Sequence, residues 1–197
     1  MTRLIIATKN KGKVREIKEL LNGYDFEVLS QTEAGVDVDV LEDGSSFEEN
    51  SLIKARAIHA LSGGMVVADD SGIEIDFLNG APSIYSARFL GGVTDTQRNI
   101  GVLALLEGIP DEYRTAQFRC VASMVTDTDA MTFHGNMEGR ITHNPQGENG
   151  FGYDPIFYIP EYQKTVAQLD SDTKNLISHR GKAFALLAAK LKNWSLT

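Results

Sequence analysis

The sequence predicts an α/β domain with a mixed β-sheet, and two patterns lead to this fold class. Near the N-terminus, short apolar segments alternate with amphipathic helical segments, as in parallel strand–helix–strand units. Farther along, the period of the apolar residues changes to two, which is typical of a half-buried hairpin. The length suits one domain, 1–197, and the globular composition, with 42% hydrophobic and 23% charged residues, argues against disorder.

Strands and helices alternate in the first half of the chain. Short apolar runs predict buried strands, and apolar residues three and four positions apart predict the helices between them. A Ser-x-x-Glu capping box marks the start of the second helix, and glycines end both helices. The predicted elements are a strand over Arg3–Thr8, a helix that ends at Asn22-Gly23, a strand over Phe26–Ser30, a helix from Ser46 to about Ser62, and a strand over Met65–Asp69.

The second half contains a predicted hairpin between helices. Apolar and polar residues alternate from Thr115 to Thr126, and Met131–Ile141 is the predicted partner strand. A capping box over Thr94–Gln97 predicts a helix before this hairpin. A glycine-rich loop over Gly147–Gly152 follows, and an apolar helix with Ser178 as its N-cap closes the chain.

Charge and composition narrow the classes of function. The formal net charge of −8 disfavours a nucleic-acid polymer as partner, because polyanion binding needs a positive field. No apolar run approaches the ~20 residues that cross a bilayer, and the N-terminal apolar run is short for a secretory signal. The short apolar runs therefore predict no membrane partner. The single cysteine, Cys120, excludes an intrachain disulfide, so we expect a reducing, cytoplasmic compartment.

Three lysines crowd the start of the first helix, where cations are usually avoided because that end carries a partial positive charge. They lie in the segment Thr8-Lys9-Asn10-Lys11-Gly12-Lys13. Lysines and free backbone N–H groups both suit phosphate, so the segment is a candidate anion site, with a solvated lysine cluster as the alternative. It is not a Walker A loop, since Ala7 and Val14 replace the glycine and the Ser or Thr of that motif.

A lysine and an acidic pair form a second candidate site. Helical spacing places Lys54 on the inward face of its helix, flanked by Ile58 and Leu61. An ammonium group there must pair with an anion unless its tip reaches water. Asp69 and Asp70 stand side by side after a buried strand, and a divalent metal would relieve their repulsion. Oxygen ligands favour Mg²⁺, with Mn²⁺ as a substitute, and Glu42 would supply a further oxygen. The alternative is a simple turn, since Asp-Ser-Gly is good turn chemistry.

The glycine-rich loop and the last helix carry further candidate binding residues. Glycines allow a ligand to approach the backbone closely, and Phe151 suits stacking on a nucleobase. The alternative is a structured loop with Phe151 buried in the core. His179 and Arg180 place positive charge at the start of the last helix, which is a further candidate anion site.

Seven motifs, in order along essentially the whole chain, resemble the inosine triphosphate pyrophosphatase family. They are Thr8-x-Asn10-x-x-Lys13, Glu42-x-Gly44-x-Ser46-Phe47-x-Glu49-Asn50, Lys54-Ala55, Asp69-Asp70-Ser71-Gly72, Tyr85-Ser86-Ala87-Arg88, Gly150-Phe151-Gly152-Tyr153-Asp154-Pro155 and Ser178-His179-Arg180-Gly181. The resemblance implies an elongated central mixed sheet flanked by helices, in two lobes with the active-site cleft between them. It also implies a homodimer, magnesium dependence and hydrolysis of ITP, dITP and XTP to the nucleoside monophosphate and pyrophosphate.

The resemblance also implies a role for each site residue. Asp70 is the expected proton acceptor and, with Glu42, a metal ligand, while Ser71 contacts the substrate. The expected phosphate contacts are Thr8, Lys9, Asn10, Lys11, Gly12, Lys13 and Lys54. The expected base pocket comprises Phe151, Gly152, Tyr153, Asp154, Lys174, His179 and Arg180. A pyrophosphatase for other modified nucleotides and a non-catalytic nucleotide-binding protein are the alternatives.

Overall fold

The computed structural model describes residues 2–91 and 93–194. The β-strands are β1 (Thr2–Ile6), β2 (Phe26–Ser30), β3 (Met65–Ile75), β4 (Thr115–Val125), β5 (Ala130–Ile141), β6 (Phe157–Ile159) and β7 (Lys164–Thr165). The α-helices are α1 (Lys11–Leu20), α2 (Phe47–Ser62), α3 (Asp95–Leu105), α4 (Ser171–Ile177) and α5 (His179–Trp194). Short 3-10 helices cover Asp76–Leu78, Ser83–Arg88, Asp111–Tyr113, Asp154–Ile156 and Val166–Gln168.

The strands form one seven-stranded sheet in the order β2-β1-β3-β4-β5-β6-β7. Strand β1 runs parallel to both β2 and β3, whereas β6 runs antiparallel to both β5 and β7. Parallel pairing joined by helices therefore precedes antiparallel pairing, as the sequence pattern predicts. The α/β class with a mixed sheet is confirmed.

The chain divides into two compact units. Unit 1 comprises the residues up to Asp70, Cys120–Gly135, and the residues from Arg180 onward. Unit 2 comprises Ser71–Arg119 and Asn136–His179. The division therefore falls within β3, within β4 and within β5. No helix in 2–91 or 93–194 is long and apolar enough to cross a membrane.

In unit 1, the strand pleat sends alternate side chains to two separate apolar clusters. Leu4, Ile6, Met65 and Val67 pack with α1 and α5, while Ile5, Ala7, Val66 and Ala68 pack with α2. The helix that leads from β1 to β2 thus covers one face, and the helix that leads from β2 to β3 covers the other. Strand β1 lies between β2 and β3. Its carboxyl end therefore lies next to β3, at a point where the connections between these parallel strands pass on opposite faces of the sheet.

Unit 2 has its own apolar core, and Arg114 is a buried cation there that the sequence analysis did not find. Side chains of β3, α3, β4, β5 and β6 form the core. Arg114, only 1% exposed, donates to the carbonyl oxygens of Leu106, Ile141 and Thr142 at 2.6, 2.9 and 2.6 Å. These three carbonyl groups lie at the ends of α3 and β5. The guanidinium is buried because it satisfies these backbone acceptors, and none of the three partners is a carboxylate.

The expectation that the third strand ends at Asp69 is wrong, and so is the alternative of a turn at Asp-Ser-Gly. Strand β3 continues to Ile75, because Ile73 and Ile75 provide further alternating apolar anchors in the core of unit 2. The neighbouring strand β1 ends first, with Ile6 opposite Val67. Asp69 and Asp70 therefore lie just beyond the carboxyl end of β1, although they lie in the middle of their own strand.

Smaller differences from the sequence analysis have local causes. Helix α4 was not predicted, since its seven residues carry no apolar repeat. Ser123, expected on the polar face of its strand, is fully buried, because from Cys120 onward both faces of β4 are covered. The capping box of α2 is displaced by one residue: Ser46 caps the Glu49 N–H, but the Glu49 carboxylate accepts from the Ser45 N–H at 2.6 Å.

Candidate active site

The Thr8–Lys13 segment folds as the N-terminus of helix α1. Asn10 is the N-cap and accepts a hydrogen bond from the Lys13 N–H at 3.1 Å. Thr8 Oγ1 accepts from the Asn10 N–H at 3.2 Å, which orders the turn that leaves β1. No acidic residue stands in the first turn of α1. An anion could therefore approach the partial positive charge of this helix end without meeting a carboxylate from that turn.

The three lysines of this segment have different surroundings. Lys9 Nζ lies 2.8 Å from both Asp37 and Asp39, and these hydrogen bonds raise the pKa of Lys9. Lys11 and Gly12 lie at the start of the helix, with Lys11 exposed. Lys13 reaches inward to Asp69 Oδ2 at 3.1 Å, with its side chain only 14% exposed. Sequence spacing alone did not separate these environments.

Asp69 is the buried centre of an ion network in unit 1. Its carboxylate is completely buried and accepts from Arg180 Nε and Nη2 at 3.2 and 2.9 Å, besides its contact with Lys13. Burial alone would raise the pKa of Asp69, but the charges of Lys13 and Arg180 hold it well below the usual range. Asp69 is therefore an anion near neutral pH, whose charge is balanced by two cations.

Glu16 completes this network, and the sequence analysis missed it. Its carboxylate accepts from Arg180 Nη1 at 2.7 Å, and only 5% of the residue is exposed. The signal was present in the sequence, since Glu16 lies three residues after Lys13 and next to the apolar Ile17, on the inward side of α1. Arg180, predicted as a base contact, thus donates three hydrogen bonds to two carboxylates of unit 1.

Asp70 belongs to a different cluster from Asp69, although the two are neighbours in sequence. Lys54 Nζ lies 3.2 Å from Asp70 Oδ1 and 3.1 Å from Glu42 Oε1. The inward position predicted for Lys54 is confirmed by its 8% exposure, and the buried ammonium is paired, as expected. Leu61, predicted to lie beside it, is instead exposed, because the buried face of α2 runs through Ser51, Lys54, Ala55 and Ile58.

The surroundings of Asp70 make it more basic than an ordinary carboxylate. Burial raises the pKa of Asp70, the nearby Lys54 and Lys13 act in the opposite direction, and the charges of Glu42 and Asp69 raise it further. Burial would lower the pKa of Lys54, but Asp70 and Glu42 outweigh it, so its ammonium keeps its charge. A carboxylate of raised pKa next to a fixed cation is a suitable proton acceptor.

The donor set around Asp70 fits a magnesium ion. Asp70 Oδ2 is buried and accepts no hydrogen bond within the described part of the chain, which leaves a carboxylate oxygen for a ligand. Glu42, which shares Lys54 with Asp70, is 29% exposed at its side chain and offers a second carboxylate. Mg²⁺ commonly binds through one or two carboxylates together with substrate phosphates and water, so two protein ligands are sufficient.

A second cluster of predicted site residues lies in unit 2. Lys174 Nζ donates to Asp154 Oδ2 at 2.6 Å and lies 5.0 Å from the centre of the Phe151 ring. The Phe151 N–H also donates to Asp154 Oδ2, at 2.9 Å. A Cβ atom at Gly150 would lie 2.0 Å from that same oxygen, so this position has no room for a side chain. The Asp154 carboxylate thus contacts both the Lys174 ammonium and the Phe151 backbone, and the ammonium also lies near the Phe151 ring.

Other predicted residues of unit 2 have mainly structural contacts. Tyr153 is buried in the core and donates to the Ser86 carbonyl oxygen at 2.9 Å, and burial raises the pKa of its phenol. Phe151 is only partly buried, so the core position considered for it belongs to Tyr153. His179 stacks on Phe118 with ring centres 4.6 Å apart, and Ser71 lies within β3.

Comparison with known proteins identifies the family. A model described as the Ham1 family matches residues 4–190. The chain belongs to the Ham1 family. A dITP/XTP pyrophosphatase of Photobacterium profundum is 49% identical to this Ham1-family chain over 197 residues, which cover 98% of this chain and 100% of that protein. The family resemblance inferred from the motifs is thereby confirmed.

Solved structures of Ham1 proteins agree with the fold. A HAM1 protein from Coxiella burnetii matches with a TM-score of 0.88 at 43% identity and covers 98% of this chain and 100% of its own. The Ham1 protein of Staphylococcus aureus matches with a TM-score of 0.86 at 42% identity, covering 97% and 98%. Both proteins share the α/β fold with this chain and are more than 40% identical to it along nearly its whole length.

We expect the replacement Arg180→Met to destabilise the chain. It removes the guanidinium that Asp69 and Glu16 share and leaves two buried carboxylates poorly compensated, which typically costs about 3–5 kcal/mol. Urea unfolding followed by circular dichroism measures the effect.

Lys190→Met, at an exposed position of α5, is the matched control and should change the free energy of unfolding by less than about 0.5 kcal/mol. The pair Arg180→Met with Glu16→Gln should recover part of the loss, since one uncompensated charge is then gone. An Arg180→Met protein as stable as the control would contradict the structural importance of this network.

Proposed function

We propose that this Ham1-family chain hydrolyses non-standard purine nucleoside triphosphates, ITP, dITP and XTP, to the nucleoside monophosphate and pyrophosphate. The observation that carries the proposal is the pair of buried neighbouring carboxylates in different states. The negative charge of Asp69 is balanced by Lys13 and Arg180, whereas Asp70 has a raised pKa and lies beside Lys54 and Glu42. The name dITP/XTP pyrophosphatase, printed for relatives up to 49% identical, supports the substrate class.

The triphosphate is assigned to residues of unit 1. The N-terminus of α1, with the segment Thr8-Lys9-Asn10-Lys11-Gly12-Lys13, supplies backbone N–H groups and lysines for phosphate oxygens. Lys54 adds an inward-facing ammonium. Ser71, which follows Asp70 directly in β3 and is the first residue of unit 2, is assigned as a further contact with the substrate. Glu42 and Asp70 would hold Mg²⁺, which, when bound, neutralises charge on phosphate oxygens. Local cations thus offset the triphosphate charge in a chain whose net charge is −8.

Asp70 is the assigned general base. It accepts a proton from a water molecule, whose oxygen forms a bond to the α-phosphorus while the bond from that phosphorus to the bridging oxygen of the β-phosphate breaks. The leaving group is pyrophosphate, and the product is the monophosphate. Lys54 keeps the Asp70 carboxylate in place through its contact with Oδ1, and Asp70 acts on the water from this fixed position. Lys13 and Lys54 stabilise charge that develops on the phosphate oxygens.

The base is assigned to residues of unit 2 together with the start of α5. The assigned contacts are Phe151, Gly152, Tyr153, Asp154, Lys174, His179 and Arg180. The partly exposed Phe151 ring offers a stacking surface, and the Asp154–Lys174 pair offers both an acceptor and a donor to a purine edge. A purine with a 6-carbonyl suits a site rich in donors, whereas the 6-amino group of adenine would face an unmatched donor.

Incubation of the purified chain with a panel of nucleoside triphosphates tests the proposed function. With Mg²⁺, ITP, dITP and XTP should each give the monophosphate and pyrophosphate, and chelation of the metal should abolish turnover. ATP and modified pyrimidine triphosphates should react far more slowly. Release of orthophosphate, or binding without turnover, would contradict the proposal and would favour a different phosphohydrolase or a nucleotide-binding protein, respectively.

The variant Asp70→Asn tests the residue assignment in the same assay. It keeps the size of the side chain but removes the proton acceptor, so kcat should fall at least ~10²-fold. Asp43→Asn is the matched control, because Asp43 is an exposed acid one residue from Glu42, and its kcat should remain near that of the unsubstituted chain. Turnover of Asp70→Asn close to that of the control would overturn the role of Asp70.

We further propose that the chain is a cytoplasmic homodimer. The compartment is inferred from a single, buried cysteine, Cys120. Exposed large apolar side chains of unit 2 support self-association: Phe77, Tyr85, Leu90, Ile100, Leu105 and Tyr113. Sedimentation equilibrium should give twice the chain mass of 21.6 kDa, and a mass equal to that of one chain at micromolar concentration would contradict the dimer.

A further inference from the structure

Helix α3 holds the backbone of the loop that contains Phe151 and Asp154. Asn99 Nδ2 donates to the Gly152 carbonyl oxygen at 3.0 Å, and the Gly152 N–H donates to Asp95 Oδ2 at 2.8 Å. Asp95 and Asn99 are four residues apart, so they lie on the same face of α3, one helical turn apart. One helix face therefore holds both hydrogen-bonding groups of a single loop residue.

The helix end that presents these two side chains is itself fixed. Arg98, only 7% exposed, donates to the second oxygen of Asp95 at 2.5 Å and to the Val93 carbonyl oxygen at 2.9 Å. A complete capping box between Thr94 and Gln97 closes the first turn. The Asp95 carboxylate thus has one oxygen on Arg98 and the other on the loop, which limits its freedom to move.

Gly152 lies in the loop between Phe151 and Asp154. Its φ of +63° lies in the left-handed region, which glycine adopts readily because it has no Cβ atom. On one side, Phe151 donates its N–H to Asp154, and on the other, Asp154 receives Lys174. A shift of Gly152 would therefore move the aromatic ring and the charged pair relative to each other.

Asn99 is a costly residue if its only role is to stabilise the fold. It is 4% exposed, and its Oδ1 atom has no hydrogen-bond partner within 2–91 and 93–194. A buried amide with one end unsatisfied is unfavourable, whereas a leucine of similar shape would pack without that penalty. Its amide nitrogen donates to the loop, and sites that break a local rule in this way are commonly functional.

We propose that Asp95 and Asn99 are positioning residues for base recognition, which act by holding Gly152 so that Phe151, Asp154 and Lys174 keep their mutual arrangement. This inference rests on the proposed function, in which those three residues contact the base. Neither Asp95 nor Asn99 needs to touch the substrate in this role.

Three variants separate positioning from general stability. Asn99→Leu and Asp95→Ala each remove one hydrogen bond to Gly152, and Asp95→Ala also removes a partner of Arg98. Gln97→Ala is the matched control, because it breaks the capping box of the same helix but leaves Gly152 untouched. Thermal unfolding of all three verifies that each is folded at the assay temperature.

The first measurement needs no substrate. Hydrogen exchange of the Gly152 amide, followed by NMR, should be at least about tenfold faster in Asp95→Ala than in the unsubstituted chain, since a hydrogen bond to a charged carboxylate, which is stronger than a neutral one, is lost. Gln97→Ala should retain the protection. Unchanged protection in Asp95→Ala would overturn the proposal at its first step.

The second measurement is steady-state hydrolysis of dITP. Asn99→Leu and Asp95→Ala should each raise KM about 3- to 10-fold, while kcat changes less than about twofold, because the phosphate and metal residues are assigned to unit 1. Gln97→Ala should keep KM near its original value. A KM unchanged in Asn99→Leu, or raised equally in Gln97→Ala, would overturn the positioning role. Absence of dITP turnover in the unsubstituted chain would instead refute the proposed function, and the exchange measurement would still report on the contact.

Discussion

The site of this Ham1-family chain depends on the pleat of strand β3. Successive side chains of a strand point to opposite faces, so Asp69 and Asp70 are separated although they are adjacent in sequence. Asp69 follows Met65 and Val67 onto the face covered by α1 and α5, where Lys13 and Arg180 meet it. Asp70 follows Val66 and Ala68 onto the face covered by α2, where Lys54 meets it.

This separation gives two identical side chains different chemistry. Two cations and complete burial fix Asp69 as an anion, and it ties α1, β3 and α5 together through Arg180 and Glu16. Asp70 shares a single lysine with Glu42, has a raised pKa and keeps one oxygen clear of hydrogen bonds within the described chain. When the surroundings of two carboxylates shift their pKa values apart, the two groups commonly have different roles, here a structural role for Asp69 and a reactive role for Asp70.

Sequence patterns predicted β1, β2, β4, β5 and the first part of β3, together with α1, α2, α3, α5 and the pairing need of Lys54, since these follow from local periodicity, caps and burial. They did not predict the short strands β6 and β7, whose three and two residues are too few to show a period. They did not predict that β3 continues past Asp70, because Ser71-Gly72 looks like a turn until its partners in unit 2 are known. They missed Arg114, whose farthest partner lies 28 residues away along the chain. They also missed Glu16, because its inward place on α1 indicates burial but not its partner Arg180, which lies 164 residues away. Partners at such separations cannot be read from local periodicity, and only the fold reveals the carboxylate partners of Arg180.

The central claim is that water, activated at Asp70, attacks the α-phosphorus. Hydrolysis of dITP in water that carries the heavy oxygen isotope, followed by mass spectrometry of both products, tests it most directly. The account predicts that the heavy oxygen appears in the deoxyinosine monophosphate and that the pyrophosphate is unlabelled. Label in the pyrophosphate would place the attack at the β-phosphorus and would contradict the assignment.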